Sequence, residues 1–88
     1  MEIEFDPSKS ERNAQERGIP FSMVDEFDWA TALVVEDDRA DYGEVRMFAL
    51  GFIGDRLHAL VFTMRGEACR VISLRCANDR EVAHYDEA

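Results

Sequence analysis

Two cysteines, two histidines and two prolines among 88 residues remove several protein classes at once. Two thiols are too few for the disulfide framework of a small secreted domain. Cys69 and Cys76 also bracket a segment that reads as a strand, which holds them about 20 Å apart and beyond disulfide reach. Free thiols and a cytoplasmic setting are expected. His58 and His84 lie far apart, and neither cysteine pairs with a histidine at a zinc-finger interval, so no metal and no cofactor are expected. The acidic stretch from Glu36 to Glu44 matches a calcium loop in composition only, because Arg39 stands where an oxygen ligand is needed. No apolar run reaches the ~18 residues of a membrane span. Met1-Glu2-Ile3-Glu4 has neither the basic start nor the apolar stretch of a signal peptide. The expectation is a single domain over residues 1–88 with no membrane contact.

Basic charge is also scarce. Ten Lys and Arg face 19 Asp and Glu, for a formal net charge of −9. Such acidity opposes non-specific attachment to nucleic acid, because a phosphate polyanion is repelled by the surface as a whole. The deficit is uneven along the chain. Residues 1–38 hold three bases (Lys9, Arg12 and Arg17) against eleven acids, whereas residues 39–80 hold seven arginines against five acids. The middle of the chain is therefore +2, and an anion-binding surface fits there. Hydrophobic residues reach 47 %, with six Phe, which is a globular composition and not a disordered one.

The periodicity changes along the chain. Ile3 and Phe5 alternate with Glu2, Glu4 and Asp6, as in a half-buried strand. Asp6-Pro7 places a capping acid before Pro at the first helical position, and Gly18 suits the left-handed C-terminal cap of that helix. Phe21, Val24 and Phe27 recur every third residue and predict a second short helix over 20–27. Ala32–Val35, Val45–Ile53, Leu57–Met64 and Ala68–Leu74 read as strands, the last three joined by tight turns at Gly54 and Gly66. Asn78 with Glu81 forms a capping box that starts a final helix. The fold class is α+β: a four- to five-stranded, mostly antiparallel sheet with two N-terminal helices and one C-terminal helix.

Chemistry concentrates at the last strand and the helix after it. Alternation puts Val71, Ser73 and Arg75 on one face of the strand, and Arg70, Ile72 and Leu74 on the other. Ala77, Glu81 and Tyr85 share a helix face at i, i+4 and i+8. This corner offers a guanidinium, a hydroxyl, a carboxylate and a phenol. A metal-free ribonuclease needs these groups to move protons and to neutralise a phosphorane. The ordinary reading stands beside it, with Glu81 as a cap and Tyr85 as a core anchor.

These segments resemble the BrnT toxins of bacterial type II toxin–antitoxin modules. Arg70, Ile72, Ser73, Arg75, Ala77, Glu81 and Tyr85 match the family's C-terminal pattern, with Leu74 in place of Ala. Asp6, Lys9, Asn13, Gly18, Ile19 and Phe21 match its N-terminal pattern, with Phe5 for Trp, Glu16 for Lys and Arg17 for His. The resemblance implies a RelE-like ribonuclease fold that cuts RNA and arrests translation. It also implies a cognate BrnA-like ribbon-helix-helix antitoxin, so that DNA is met only through that partner. On this reading Arg70, Ser73, Arg75, Glu81 and Tyr85 form the catalytic group. Lys9, Arg17, Arg46 and Arg80 bind RNA.

Arg17 cannot serve as a base, because a guanidinium stays protonated at neutral pH, although its fork can hold a phosphate. The rival reading is a catalytically silent relative that serves only to bind the antitoxin. A homodimer of the free protein is a further expectation, because a core this small is marginal alone.

Overall fold

The structure is a computed structural model that describes all 88 residues. Its order is β1 (Glu2–Glu4), α1 (Pro7–Arg17), a 3₁₀ turn (Phe21–Glu26), β2 (Leu33–Asp37), β3 (Arg46–Ile53), β4 (Arg56–Arg65), β5 (Ala68–Cys76) and α2 (Asp79–Glu87). The Asp6 side chain accepts from the Ser8 amide 2.8 Å away and starts α1. Gly18 ends it at φ 73°, the left-handed region that glycine enters without steric cost. The Asn78–Glu81 capping box forms in full at the start of α2.

The five strands make one sheet in the order β1-β5-β4-β3-β2. The sheet is mixed and not mostly antiparallel, because β1 pairs parallel to β5 with Ile3 opposite Cys69. Alternation in Glu2–Asp6 announces a strand but says nothing about its partner or direction. The helix predicted over 20–27 is a 3₁₀ turn over Phe21–Glu26. Its apolar spacing of three already matches a helix with three residues per turn.

The strand register defines two faces. One face carries Ala49, Leu60, Phe62, Val71 and Leu74 into the main core, beneath Phe21, Val24 and Phe27. Gly51 lets the Phe27 ring lie directly on β3, where any Cβ would collide with it. Trp29 braces that ring, with centroids 4.7 Å apart, and itself packs edge-on to Phe62 at 5.2 Å. The opposite face carries a smaller cluster of Leu50, Leu57 and Ala59, covered by Tyr85 of α2 and by Ala77. Ala77 stands ahead of the Asn78 cap and so outside the helix face it was expected to share with Glu81 and Tyr85.

Strict alternation fails in β5. A bulge shifts the register between Val61 and Phe62, so that Ser73 faces Val61 whereas Val71 faces Phe62. Ile72 is the extra residue. Val71 therefore enters the core with Leu74, and Arg70 joins Ser73 and Arg75 on the other face. The predicted grouping of Val71 with Ser73 and Arg75 is overturned by this one inserted residue.

Candidate functional site

The face shared by Arg70, Ser73 and Arg75 is only half covered by α2. Beyond the helix, one row crosses the sheet: Glu4 stands opposite Arg70, Arg70 opposite Thr63 and Arg46 opposite Asp37, with Thr63 and Arg46 each one residue past the Met47–Phe62 pair. Thr63 is buried and donates from its hydroxyl to the Val45 carbonyl at 2.7 Å, so the two flanking arginines have a rigid spacer between them. Arg70 lies 3.6 Å from Glu4, and Arg46 lies 3.3 Å from Glu44. The Tyr42 ring sits 4.1 Å from the Arg46 guanidinium carbon, a cation–π contact that holds that arginine across the sheet. Arg46, Arg65, Arg70 and Lys9 line a depression of about 200 Å³ with Asp6 and Glu44 on its rim.

A second depression, about 190 Å³, continues around the edge of β5. Lys9 and Ile72 belong to both. Here α1 contributes Lys9, Arg12, Glu16 and Arg17, and β5 contributes Ser73. The helix is fixed against the strand by Asn13, whose amide nitrogen donates to the Ile19 carbonyl at 2.7 Å and to the Leu74 carbonyl at 2.9 Å. Together the two depressions form one groove with six cationic side chains and three carboxylates. It is +3 in a molecule whose net charge is −9. The predicted residues Lys9, Arg17, Arg46, Arg70 and Ser73 all meet in it.

The other predicted residues lie elsewhere. Arg75 grips Glu81 with both terminal nitrogens, at 2.7 and 2.9 Å. Glu81 Oε1 also accepts from the Asn78 amide at 2.9 Å, so one carboxylate joins the end of β5 to the first turn of α2. The Arg75 hydrogen bonds hold the Glu81 carboxyl below its ordinary value, and Glu81 in turn raises the Arg75 value. The Tyr85 hydroxyl donates to the Thr31 carbonyl at 2.9 Å, and its ring packs edge-on to Phe52 at 5.5 Å. Phe52 stands six residues along β3 from Arg46, which separates the Tyr85 ring from the cationic row by about 20 Å. Arg80 is exposed on α2 and lines neither depression.

A separate groove of about 270 Å³ lies between β2 and the start of α2. It is lined by the Arg75–Glu81 pair and by Asp37, whose two oxygens accept from Arg39 at 2.7 and 2.8 Å. That fork holds the Asp37 carboxyl below its ordinary value. No cluster of three or more His, Cys, Asp or Glu side chains stands close enough to hold a metal ion. Both cysteines are free. Burial pushes the Cys69 thiol up to about 11, which leaves it unreactive at neutral pH.

The +3 groove presents anchored cations beside a hydroxyl donor, the equipment for holding a phosphodiester and stabilising added negative charge on it. Two of its cations, Arg12 and Arg65, were not among the residues singled out from sequence. Lys9, Arg12 and Glu16 at i, i+3 and i+7 form a helix stripe that periodicity can reveal. Arg65 carries no such signal, because its position depends on the β4–β5 turn. No helix is long and apolar enough to cross a membrane. A family model described as "Ribonuclease toxin, BrnT, of type II toxin-antitoxin system" matches residues 5–81, from the end of β1 to the start of α2. No curated protein matches the chain.

Proposed function

Because the chain belongs to the BrnT family of ribonuclease toxins of type II toxin–antitoxin systems, we propose that it cleaves RNA in the groove between α1 and the open end of the sheet. Cleavage needs no metal ion and arrests translation until a protein antitoxin captures the enzyme. One observation carries this reading. Residues 9–17 and residues 46–73, far apart in sequence, supply the cations of a single +3 groove.

In this mechanism Arg46 and Arg70 hold the scissile phosphate and take up the extra charge of the phosphorane, with Ser73 donating a hydrogen bond. Arg17 clamps the neighbouring phosphate through its fork. A 2′-hydroxyl attacks phosphorus and loses its proton to Glu16, the carboxylate of the groove that neither caps a helix nor pairs with an arginine. The bond to the 5′ oxygen breaks, and Lys9 supplies the proton to that oxygen. The products are a 2′,3′-cyclic phosphate and a 5′-hydroxyl end. Glu81 and Arg75 contribute by fixing the corner from which β5 presents Ser73. An antitoxin of the BrnA-like, ribbon-helix-helix kind completes the system, so DNA contact belongs to the partner.

Induction without antitoxin tests the reading. Growth arrest with RNA cleavage that survives EDTA, and that is lost in Arg46→Ala/Arg70→Ala with Tm retained, is the expected result. Full expression with intact RNA and normal growth overturns it. One observation favours the catalytically silent alternative: the acceptor and donor atoms of Glu81 and Tyr85 are already committed within the fold. The same induction experiment separates the two.

A further inference from the structure

The groove beside β2 has the opposite character to the one that holds the cations. Six charged side chains line it, and four of them are acidic, so it is −2 overall. Arg39 and Arg75 are each occupied by a carboxylate, and Glu36 and Asp38 enter no ion pair. The rest of the lining is Val35 and Phe48. A phosphate chain is repelled here, whereas a cationic chain with apolar side chains is attracted.

The backbone adds a second feature. β2 is an outer strand of the sheet, paired only with β3, so one side of Leu33–Asp37 has no ladder partner. The opposite edge is different: its outer strand β1 is only three residues long, and past it the Asn13 side chain of α1 bonds the Leu74 carbonyl of β5. Natural edge strands are usually blunted by Pro, by Lys or by a bulge. β2 has none of these, and it exposes Val34 at 42 % and Val35 at 58 %. Its only protection is negative charge.

That charge decides which strand can add. A second copy of this chain brings an equally acidic edge, with Glu36 and Asp38 unpaired and Arg39 already held by Asp37, in a molecule already at −9. Repulsion between two acidic edges with no free cation to offset it opposes self-pairing, and a basic strand is favoured.

We propose that the free edge of β2, with the acidic groove beside it, is the docking site for an extended basic segment of the antitoxin. The segment adds as a sixth strand. Its main chain pairs with residues 33–37, apolar side chains cover Val34, Val35 and Phe48, and Lys or Arg side chains reach Glu36 and Asp38. The proposal rests on the family's having a protein antitoxin, and it is independent of whether RNA is cleaved. Capture at this edge leaves the +3 groove on the other flank of the sheet open, so neutralisation requires the rest of the antitoxin to reach across the face or to block α1.

The test uses the full-length chain and the antitoxin encoded with it. Two variants are compared with the wild type, Val34→Lys/Val35→Lys and Glu36→Lys/Asp38→Lys. All four positions are exposed on the edge strand or the loop after it, and thermal melts check folding. Each variant is expected to bind at least about tenfold more weakly, with the charge reversal acting mainly on the association rate. Cleavage by the free variants stays at the wild-type level. Hydrogen exchange within residues 33–37 slows on complex formation. Affinities within about twofold of wild type, with exchange protection mapping elsewhere, overturn the proposal. So does protection of residues 33–37 that rises with protein concentration before any antitoxin is added, which assigns the edge to self-association. Absence of RNA cleavage with these binding effects intact counts against the ribonuclease reading alone.

Discussion

Replacing Glu81 separates architecture from chemistry more cleanly than any other single change. Its side chain is 17 % exposed and holds Arg75, itself 34 % exposed, in a two-bonded fork while closing the α2 capping box. Glu81→Ala removes half of the capping box and both charge-assisted bonds. It leaves a guanidinium that water can still reach, so the penalty stays below that of a fully buried broken pair. About 1 kcal/mol for the cap and about 1 kcal/mol for the fork give a loss near 2 kcal/mol. For a domain of this size that lowers Tm by roughly 8–16 °C.

Glu81→Gln keeps an acceptor for the Asn78 amide and loses the charge, so about half of that effect is expected. The pH dependence has a definite sign. The folded carboxyl is held below its ordinary value, so its contribution is present above that value and fades as pH falls through the folded one. The gap between wild type and Glu81→Gln is therefore full at pH 7 and closes in the acid range below the ordinary carboxyl value. Thermal melts from pH 7 to pH 3 measure this, and RNA cleavage is assayed at a temperature well below both midpoints. Cleavage should change by less than about threefold, because a carboxylate committed to an arginine and an amide is not a working base. A loss of about 10² or more in rate with an unchanged Tm makes Glu81 a proton-transfer group and refutes the reasoning.

Gly51→Ala places a methyl group 2.7 Å from Phe27 Cε2 and closer still to Cζ. Trp29 blocks the ring's retreat, so overpacking of about 1–3 kcal/mol should appear in urea unfolding. Asn13→Ala strips the donor from the Ile19 and Leu74 carbonyls and should cost about 2 kcal/mol in the same assay. It should also weaken RNA binding, because α1 loses its register against β5; stability lost with RNA affinity unchanged would separate Asn13 from the groove.

Periodicity and caps made the order of elements legible. Asp6-Pro7, Gly18 and the Asn78–Glu81 box mark helix ends through local hydrogen bonding, which a sequence states directly. Apolar runs bounded by turn residues located the four longer strands within two residues of their ends. The partner of β1 was not legible, because a parallel pairing over more than 60 residues leaves no local trace. Nor was the β5 bulge: one unpaired residue at Ile72 changes which side chains share a face without altering composition. That residue decides the site, since it puts Arg70 beside Arg46 and buries Val71. Dividing the charge along the chain found the arginines of the middle segment. It assigned Lys9, Arg12 and Arg17 to the acidic segment 1–38, and only the docking of α1 against β5 unites them with the arginines of the middle segment.

The parallel pairing of β1 with β5 also orders events in time. One wall of the cationic groove is made from the first 17 residues and the other from residues 46–73, so neither wall faces its counterpart until β5 has been synthesised. During translation the N-terminal strand and α1 must wait, without their sheet partner, for most of the chain to emerge. A nascent or prematurely ended chain that lacks β5 carries cations but no groove. Assembly of the cationic groove thus depends on near-completion of the polypeptide.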